Sequence, residues 1–148
     1  MEILLVEDNV DDAELTLRAL RRRHPRERTA WVQDGAEALQ FLFAEGTHAD
    51  RAGAPPPVLV LLDLKLPKVD GLEVLRAIRA DGRLRTLPVV ALTSSNQEQD
   101  VERAYDAGVN SYVTKPVEYA RFQSVVEELG LYWLDLNRCP GVDPPPAR

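Results

Sequence analysis

Four short, largely apolar runs in this chain each end on polar or charged side chains. Ile3–Val6 leads into Glu7 and Asp8, Val58–Leu62 into Asp63, Val89–Leu92 into Thr93 and Ser94, and Ser111–Thr114 into Lys115 and Pro116. Short continuous apolar runs separated by helix-like stretches read as strands buried in a parallel sheet. Such a sheet binds ligands outside the carboxyl ends of its strands. The carboxylates of Glu7, Asp8 and Asp63, the Thr93 hydroxyl and the Lys115 ammonium should therefore converge on one cleft. Together they describe a metal-and-phosphate site.

The segments between the runs have helical periodicity, so the pattern predicts an α/β doubly wound domain. Asn9 or Asp11 can cap a helix through Leu15, Leu17 and Leu20, stopped by Pro25. Thr29–Val32 reads as a short second strand, and Asp34-Gly35 opens a helix with Ala36, Leu39, Phe41, Leu42 and Phe43 on or near its apolar face. Ala44–Pro57 has no periodicity and carries Gly46, Gly53 and Pro55–Pro57. It reads as a mobile surface loop, with a partner-specific insertion as the alternative. Asp70-Gly71 starts a helix with Leu72, Val74, Leu75 and Ile78 inward. Another helix starts near Ser95–Glu98 and closes at Gly108, and a last one carries Phe122, Val125, Val126 and Leu129 on one side. The expected division is a domain over 1–130 and a tail over 131–148, first apolar and then Pro-rich. Val142–Arg148 reads as disordered.

The length of 148 residues suits one domain with a real core. Net charge is −6, which disfavours direct DNA or RNA binding. The basic cluster Arg18, Arg21, Arg22, Arg23, Arg26 and Arg28 reads as a solvated helix face and turn. No 18-residue apolar stretch suggests a membrane span. A strand starts within two residues of Met1, leaving no room for a signal peptide. The single Cys139 excludes an intramolecular disulfide and a cysteine zinc site, and reads as a free thiol in a mobile tail. A cytoplasmic protein is the expectation. Trp31 reads as core or edge packing, and neither His24 nor His48 reads as a ligand.

Glu7, Asp8 and Asp63 held together raise one another's pKa and oppose folding unless compensated. Lys115 supplies one positive charge, and a hard divalent cation would supply two more. Mg²⁺ prefers oxygen ligands and takes one or two carboxylates beside phosphate oxygens. The absence of a nearby Cys or His argues against zinc or copper. A metal-bound carboxylate beside an ammonium and a hydroxyl suits phosphoryl transfer, and a carboxylate can itself be the nucleophile. Asp63, on the strand expected at the centre, is the best candidate. Glu7 and Asp8 would hold Mg²⁺, directly or through water, and Thr93 and Lys115 would contact the phosphoryl oxygens.

Val6-Glu7-Asp8-Asn9, Leu62–Pro67 with Asp70-Gly71, Leu92-Thr93-Ser94 and Tyr112–Pro116 together resemble the receiver domain of two-component response regulators, over about 1–130. The resemblance implies a flavodoxin-like, five-stranded parallel sheet of order 2-1-3-4-5 flanked by five helices. It makes Asp63 the phosphoacceptor and Asp8 and Asp63 the main metal ligands. Glu7 would assist through water, and the main-chain carbonyl of Lys65 would join the set. Thr93 and Tyr112 would form a switch pair, Lys115 would bind the phosphoryl group, and the Lys115–Pro116 bond would be cis. The chain would be a phosphoacceptor signalling protein rather than an enzyme, phosphorylated by a sensor histidine kinase and able to pass the group to a downstream phosphotransfer protein. No DNA-binding or catalytic output domain is expected after the receiver.

The apolar tail Leu131, Tyr132, Trp133, Leu134 and Leu136 needs cover, from its own domain or from a second copy. With helical continuation, Leu129, Tyr132, Trp133 and Leu136 form one exposed stripe suited to a homodimer. This tail and the long loop before the third strand resemble the single-domain regulators that partner bacterial phytochrome kinases. A haloacid-dehalogenase-type phosphatase would need a second acid where Lys65 stands. A nucleotide-binding enzyme would need a glycine-rich loop where Glu7-Asp8 stands. A phosphorylation-independent adaptor or dimerisation module on the same fold is the alternative.

Overall fold

The computed structural model describes residues 2–140. Five strands, β1 (Glu2–Val6), β2 (Arg28–Val32), β3 (Leu59–Leu62), β4 (Val89–Thr93) and β5 (Ser111–Thr114), alternate with five helices, α1 (Val10–Arg23), α2 (Gly35–Phe43), α3 (Gly71–Ala80), α4 (Glu98–Asp106) and α5 (Tyr119–Gly130). The strands pair in parallel in the order β2-β1-β3-β4-β5, so β3 is central as expected.

Strand side chains alternate between faces, and both faces are covered. Leu4, Val6, Val60, Leu62, Val89 and Ala91 join a core with Ala38, Val74, Leu75, Ile78 and Ala104 from α2, α3 and α4. Ile3, Leu5, Leu59, Leu61, Val90 and Leu92 join the opposite core with Ala13, Ala19 and Leu20 from α1 and Phe122 and Val126 from α5. Full burial on both faces explains why β1, β3 and β4 are unbroken apolar runs in the sequence.

Three helices begin on side-chain caps. The carboxamide of Asn9 accepts from the Asp12 N–H at 3.0 Å, Asp34 from that of Glu37 at 2.8 Å, and Asp70 from that of Glu73 at 3.0 Å. Each cap satisfies a donor that the first helical turn leaves open, worth about 1 kcal/mol. Asn9, not Asp11, caps α1. All six arginines of the basic cluster are exposed, and Arg22 and Arg23 lie 3.9 and 3.7 Å from Glu127.

Four expectations need correction. The segment before β3 is not a structureless loop, because Gly46–Arg51 forms a 3₁₀ helix against α2. Arg51 anchors it, 2.9 Å from Glu2 Oε1 and 3.5 Å above the centre of the Phe41 ring. An arginine stacked on an aromatic ring and paired with an acid orders a segment that shows no hydrophobic period. The Lys115–Pro116 bond is trans, the lower-energy isomer, since no cis peptide occurs among the described residues. Cys139 does not dangle: its thiol lies 3.7 Å from the Val58 carbonyl, and burial pushes its pKa up.

The tail supplies the fourth. Leu131–Leu136 continues α5 as a wider π turn, closed by the Asn137 N–H on the Tyr132 carbonyl at 2.7 Å. The wider turn changes the angular step per residue, so the anticipated stripe splits. Leu134 is buried, and Leu129 and Trp133 turn against the α1–α5 core, whereas Leu131, Tyr132 and Leu136 stay exposed. His24 Nε2, 3.1 Å from Asp135 Oδ1, ties this turn to the end of α1. His48 pairs with Glu37 at 3.0 Å. The disorder expected for Val142–Arg148 concerns residues outside those described.

Candidate functional site

Register brings the acids together. Val6 of β1 lies opposite Leu62 of β3, so the next residues, Glu7 and Asp63, leave the sheet side by side. The Asp63 N–H donates to the Val6 carbonyl at 3.0 Å and the Glu7 N–H to the Val32 carbonyl at 3.0 Å, which extends the ladder up to the carboxylates. The Trp31 indole N–H donates to the Glu7 carbonyl at 2.8 Å, closing the edge of this corner. Carboxylate oxygens of Glu7, Asp8 and Asp63 lie within 4.8 Å of one another. Glu7 and Asp63 are buried, at 2% and 7% exposure, while Asp8 is open to solvent.

Lys115 crosses to this corner from the end of β5. Its main-chain N–H donates to the Thr93 carbonyl at 2.7 Å. Its ammonium reaches Asp63 Oδ2 at 3.0 Å, Asp12 Oδ2 at 3.0 Å, and Glu7 Oε1. Three carboxylates thus occupy the three donors of one ammonium. Burial alone would depress the Lys115 pKa, but the hydrogen bond to Glu7 and the Asp63 charge outweigh it and hold the ammonium well above its ordinary value. Glu7 responds oppositely. Burial pushes its carboxyl up to about 7, against the lowering effect of Lys115.

Asp12 is a member of the cluster that the sequence reading missed. Its signal was spacing: it stands one helical turn after Asp8, in the first turn of the helix that leaves the site. Counting Asp12, the corner holds four carboxylates, three of them, Glu7, Asp12 and Asp63, in contact with the one ammonium. The donors are all oxygen, and one ammonium faces four carboxylates. These features fit a hard divalent cation.

Gly71 is a second omission. A β-carbon there would stand 2.5 Å from Leu64 Cα and 2.6 Å from the Asp63 carbonyl oxygen. The first turn of α3 therefore seats directly on the backbone of Asp63 and Leu64, and the Gly71 N–H donates to the Leu64 carbonyl at 3.0 Å. Asp63 Oδ1 also accepts from the Lys65 N–H at 3.1 Å. The carboxylate is thus oriented by its own loop and by Lys115.

Thr93, fully buried, ends the adjacent strand, and Tyr112 lies on β5 beyond it. The Tyr112 hydroxyl donates to the Ser95 carbonyl at 2.8 Å, so the ring is already turned toward the β4–α4 loop. Burial is the first cause of its raised pKa, with the Asp100 and Asp63 charges adding to it and the hydrogen bond to Ser95 opposing it. Leu131, Tyr132, Trp133 and Leu136 take no part here, because α5 carries the chain back to the opposite end of the sheet. No helix among the described residues is long and apolar enough to cross a membrane.

Comparison with known proteins agrees with this geometry. Residues 3–127 match the response regulator receiver domain. The chain is 48% identical over 140 residues to the "Probable methanogenesis regulatory protein FilR2" of Methanothrix harundinacea, covering 94% of this chain and 87% of that one. Among solved structures it resembles the phosphorylated cyanobacterial phytochrome response regulator RcpA, at 39% identity and a TM-score of 0.88, over 95% of this chain and 98% of the other. It also resembles the Mn²⁺-bound form of response regulator Rcp1, at 36% identity and a TM-score of 0.87, over 95% and 99% of the two chains.

Proposed function

Because the chain belongs to the response regulator receiver domain family, we propose that it accepts a phosphoryl group on Asp63 from a sensor histidine kinase of the bacterial phytochrome type. One observation carries this reading. Asp63, buried at the end of the central strand, shares the Lys115 ammonium and stands among the oxygens of Glu7 and Asp8. The likeness to RcpA supports the choice of kinase.

Asp63 enters the reaction as a carboxylate. Its oxygen bonds to phosphorus as the nitrogen–phosphorus bond of the kinase phosphohistidine breaks, and the imidazole leaves with that electron pair. Lys115, already at bonding distance, is positioned to follow the new negative charge from the carboxylates to the phosphoryl oxygens. Thr93 can donate its hydroxyl to the same oxygens, and Tyr112 backs it. Glu7, Asp8, Asp63 and the Lys65 carbonyl would hold Mg²⁺, whose charge would neutralise the oxygens of the transferring group. The Mn²⁺-bound relative supports a divalent ion.

The receiver is 1–130 and the tail 131–148, whose Leu134 packs into the receiver core while its exposed Leu131, Tyr132 and Leu136 form a homodimer surface. The protein acts in the cytoplasm and can hand its phosphoryl group to a downstream phosphotransfer protein. Intact-mass spectrometry after incubation with acetyl phosphate and Mg²⁺, or with a phosphorylated phytochrome kinase, tests the core of the proposal. One added phosphoryl group is expected, and none on Asp63→Asn. Normal labelling of that variant would refute the assignment, and no labelling of the wild type would favour a phosphorylation-independent adaptor.

A further inference from the structure

The β4–α4 loop carries an arrangement that phosphoryl acceptance alone does not explain. Ser95 is buried, and each of its polar groups has a distinct partner. Its hydroxyl donates to Asp100 Oδ2, its carbonyl accepts from the Tyr112 hydroxyl at 2.8 Å, and its N–H points to Thr93 Oγ1 at 3.5 Å. One residue therefore touches both members of the expected switch pair and an acid on α4.

We infer that Asp100 is a positioning residue for the phosphoryl site, acting through Ser95 on Thr93 and Tyr112. The inference rests on the Asp63 reading above. Asp100 is the third residue of α4, where an acid ordinarily reaches back to cap open backbone donors. Gln97, at the cap position, makes no side-chain cap bond. The Asp100 carboxylate instead takes a buried hydroxyl five residues back, outside the helix.

A carboxylate only accepts, so the Ser95 hydroxyl must donate to it, and that fixes the Ser95 rotamer. The Gln97 N–H, 3.4 Å from the same hydroxyl oxygen, approaches from the acceptor side. With Ser95 held, its N–H stays directed at the Thr93 oxygen. Thr93 then accepts on that side and keeps its own proton free to donate toward Asp63. The same constraint fixes the carbonyl on which Tyr112 rests. A cavity of about 370 Å³ adjoins these groups, with Lys65, Thr93, Ser95 and Asp100 in its wall. A loop beside that space has room to move once the Asp100 bond is lost.

The test compares Asp100→Ala, Asp100→Asn, Ser95→Ala and the double alanine variant. The initial rate of phosphoryl uptake from acetyl phosphate is measured at saturating Mg²⁺, with the thermal midpoint as a folding control. Asp100→Ala and Ser95→Ala should each slow uptake roughly tenfold, about 1.4 kcal/mol in activation free energy. The double variant should be no slower, because both changes break one link. Asp100→Asn retains an acceptor oxygen and should recover most of the rate. The Tyr112 ring resonances of the resting protein should shift in both alanine variants and hold in Asp100→Asn. Unchanged uptake in folded Asp100→Ala, or additive losses in the double variant, would overturn the inference. If the wild type takes no phosphoryl group, the Asp63 reading fails on its own. The Tyr112 resonances then decide: a shift in Asp100→Ala supports the link, and no shift overturns it.

Discussion

Replacing Gly71 by alanine should damage the protein twice, once in stability and once at Asp63. The new β-carbon would meet Leu64 Cα at 2.5 Å and the Asp63 carbonyl oxygen at 2.6 Å. Carbon contacts are comfortable at roughly 3.5–4.0 Å, so the β3–α3 loop must retreat by about 1 Å. Overpacking of this kind costs about 1–3 kcal/mol, and the upper half of that range applies because backbone cannot rotate aside. Alanine returns about 0.4–1 kcal/mol by restricting the unfolded chain. The net loss should be about 2 kcal/mol, a fall of roughly 4–8 °C in midpoint. Gly82 is the control, since a β-carbon there meets nothing within 4 Å. Gly82→Ala should leave stability unchanged or raise it by up to about 1 kcal/mol. Urea unfolding of both variants, read at constant m, measures the difference. Phosphoryl uptake by Gly71→Ala should fall by about a hundredfold, the order of loss that a 1 Å misplacement of a reacting group produces. Equal stability of the two variants would refute the steric reasoning. Normal uptake by a destabilised Gly71→Ala would refute the claim that α3 sets the position of Asp63.

Other outcomes follow from the same geometry. In chelator, Glu7 holds a proton in the folded state up to about pH 7 that the unfolded chain releases near its ordinary value of 4.5. Its contribution to stability is therefore full below that ordinary value and lost as pH rises through about 7, so wild-type stability should decline across this window and Glu7→Gln should flatten the decline. Matching pH slopes in urea titrations of the two proteins would contradict this. In sedimentation, the wild type should run as a dimer and a Tyr132→Glu, Leu136→Glu variant as a monomer. That pair is preferable to truncation at Gly130, which would also strip the buried Leu134 from the core. Two dimers, or two monomers, would show that the exposed tail residues are not the dimer contact.

Much of this was legible in the sequence for a simple reason. β1, β3 and β4 are buried on both faces, so their apolar runs are uninterrupted and the polar residues after them mark the sheet end directly. Asn9, Asp34 and Asp70 announced helix starts by local chemistry alone. What escaped reading depends on distant partners. Asp12 joins the cluster only because Lys115 arrives from 103 residues away. Gly71 looks like an ordinary helix-start glycine until the Leu64 backbone is seen against it. The order of Gly46–Arg51 rests on Arg51 meeting Phe41 and Glu2, contacts without any periodic signature. The tail does not keep a single exposed stripe because a helical wheel assumes a constant turn, and the chain widens after Gly130.

The hydrogen bond from the Trp31 indole to the Glu7 carbonyl makes this protein its own optical probe. The two tryptophans stand on different elements, Trp31 on β2 with its indole on the Glu7 carbonyl and Trp133 in the tail beyond α5. Substituting Trp133 by phenylalanine would leave a single tryptophan, in contact with the strand end that presents Asp8. Emission from Trp31 could then follow ion titration and phosphoryl turnover in real time, without a label. The complementary variant, with Trp31 replaced, would report only on the tail, so events at the acids and in the tail could be timed separately in the same solution.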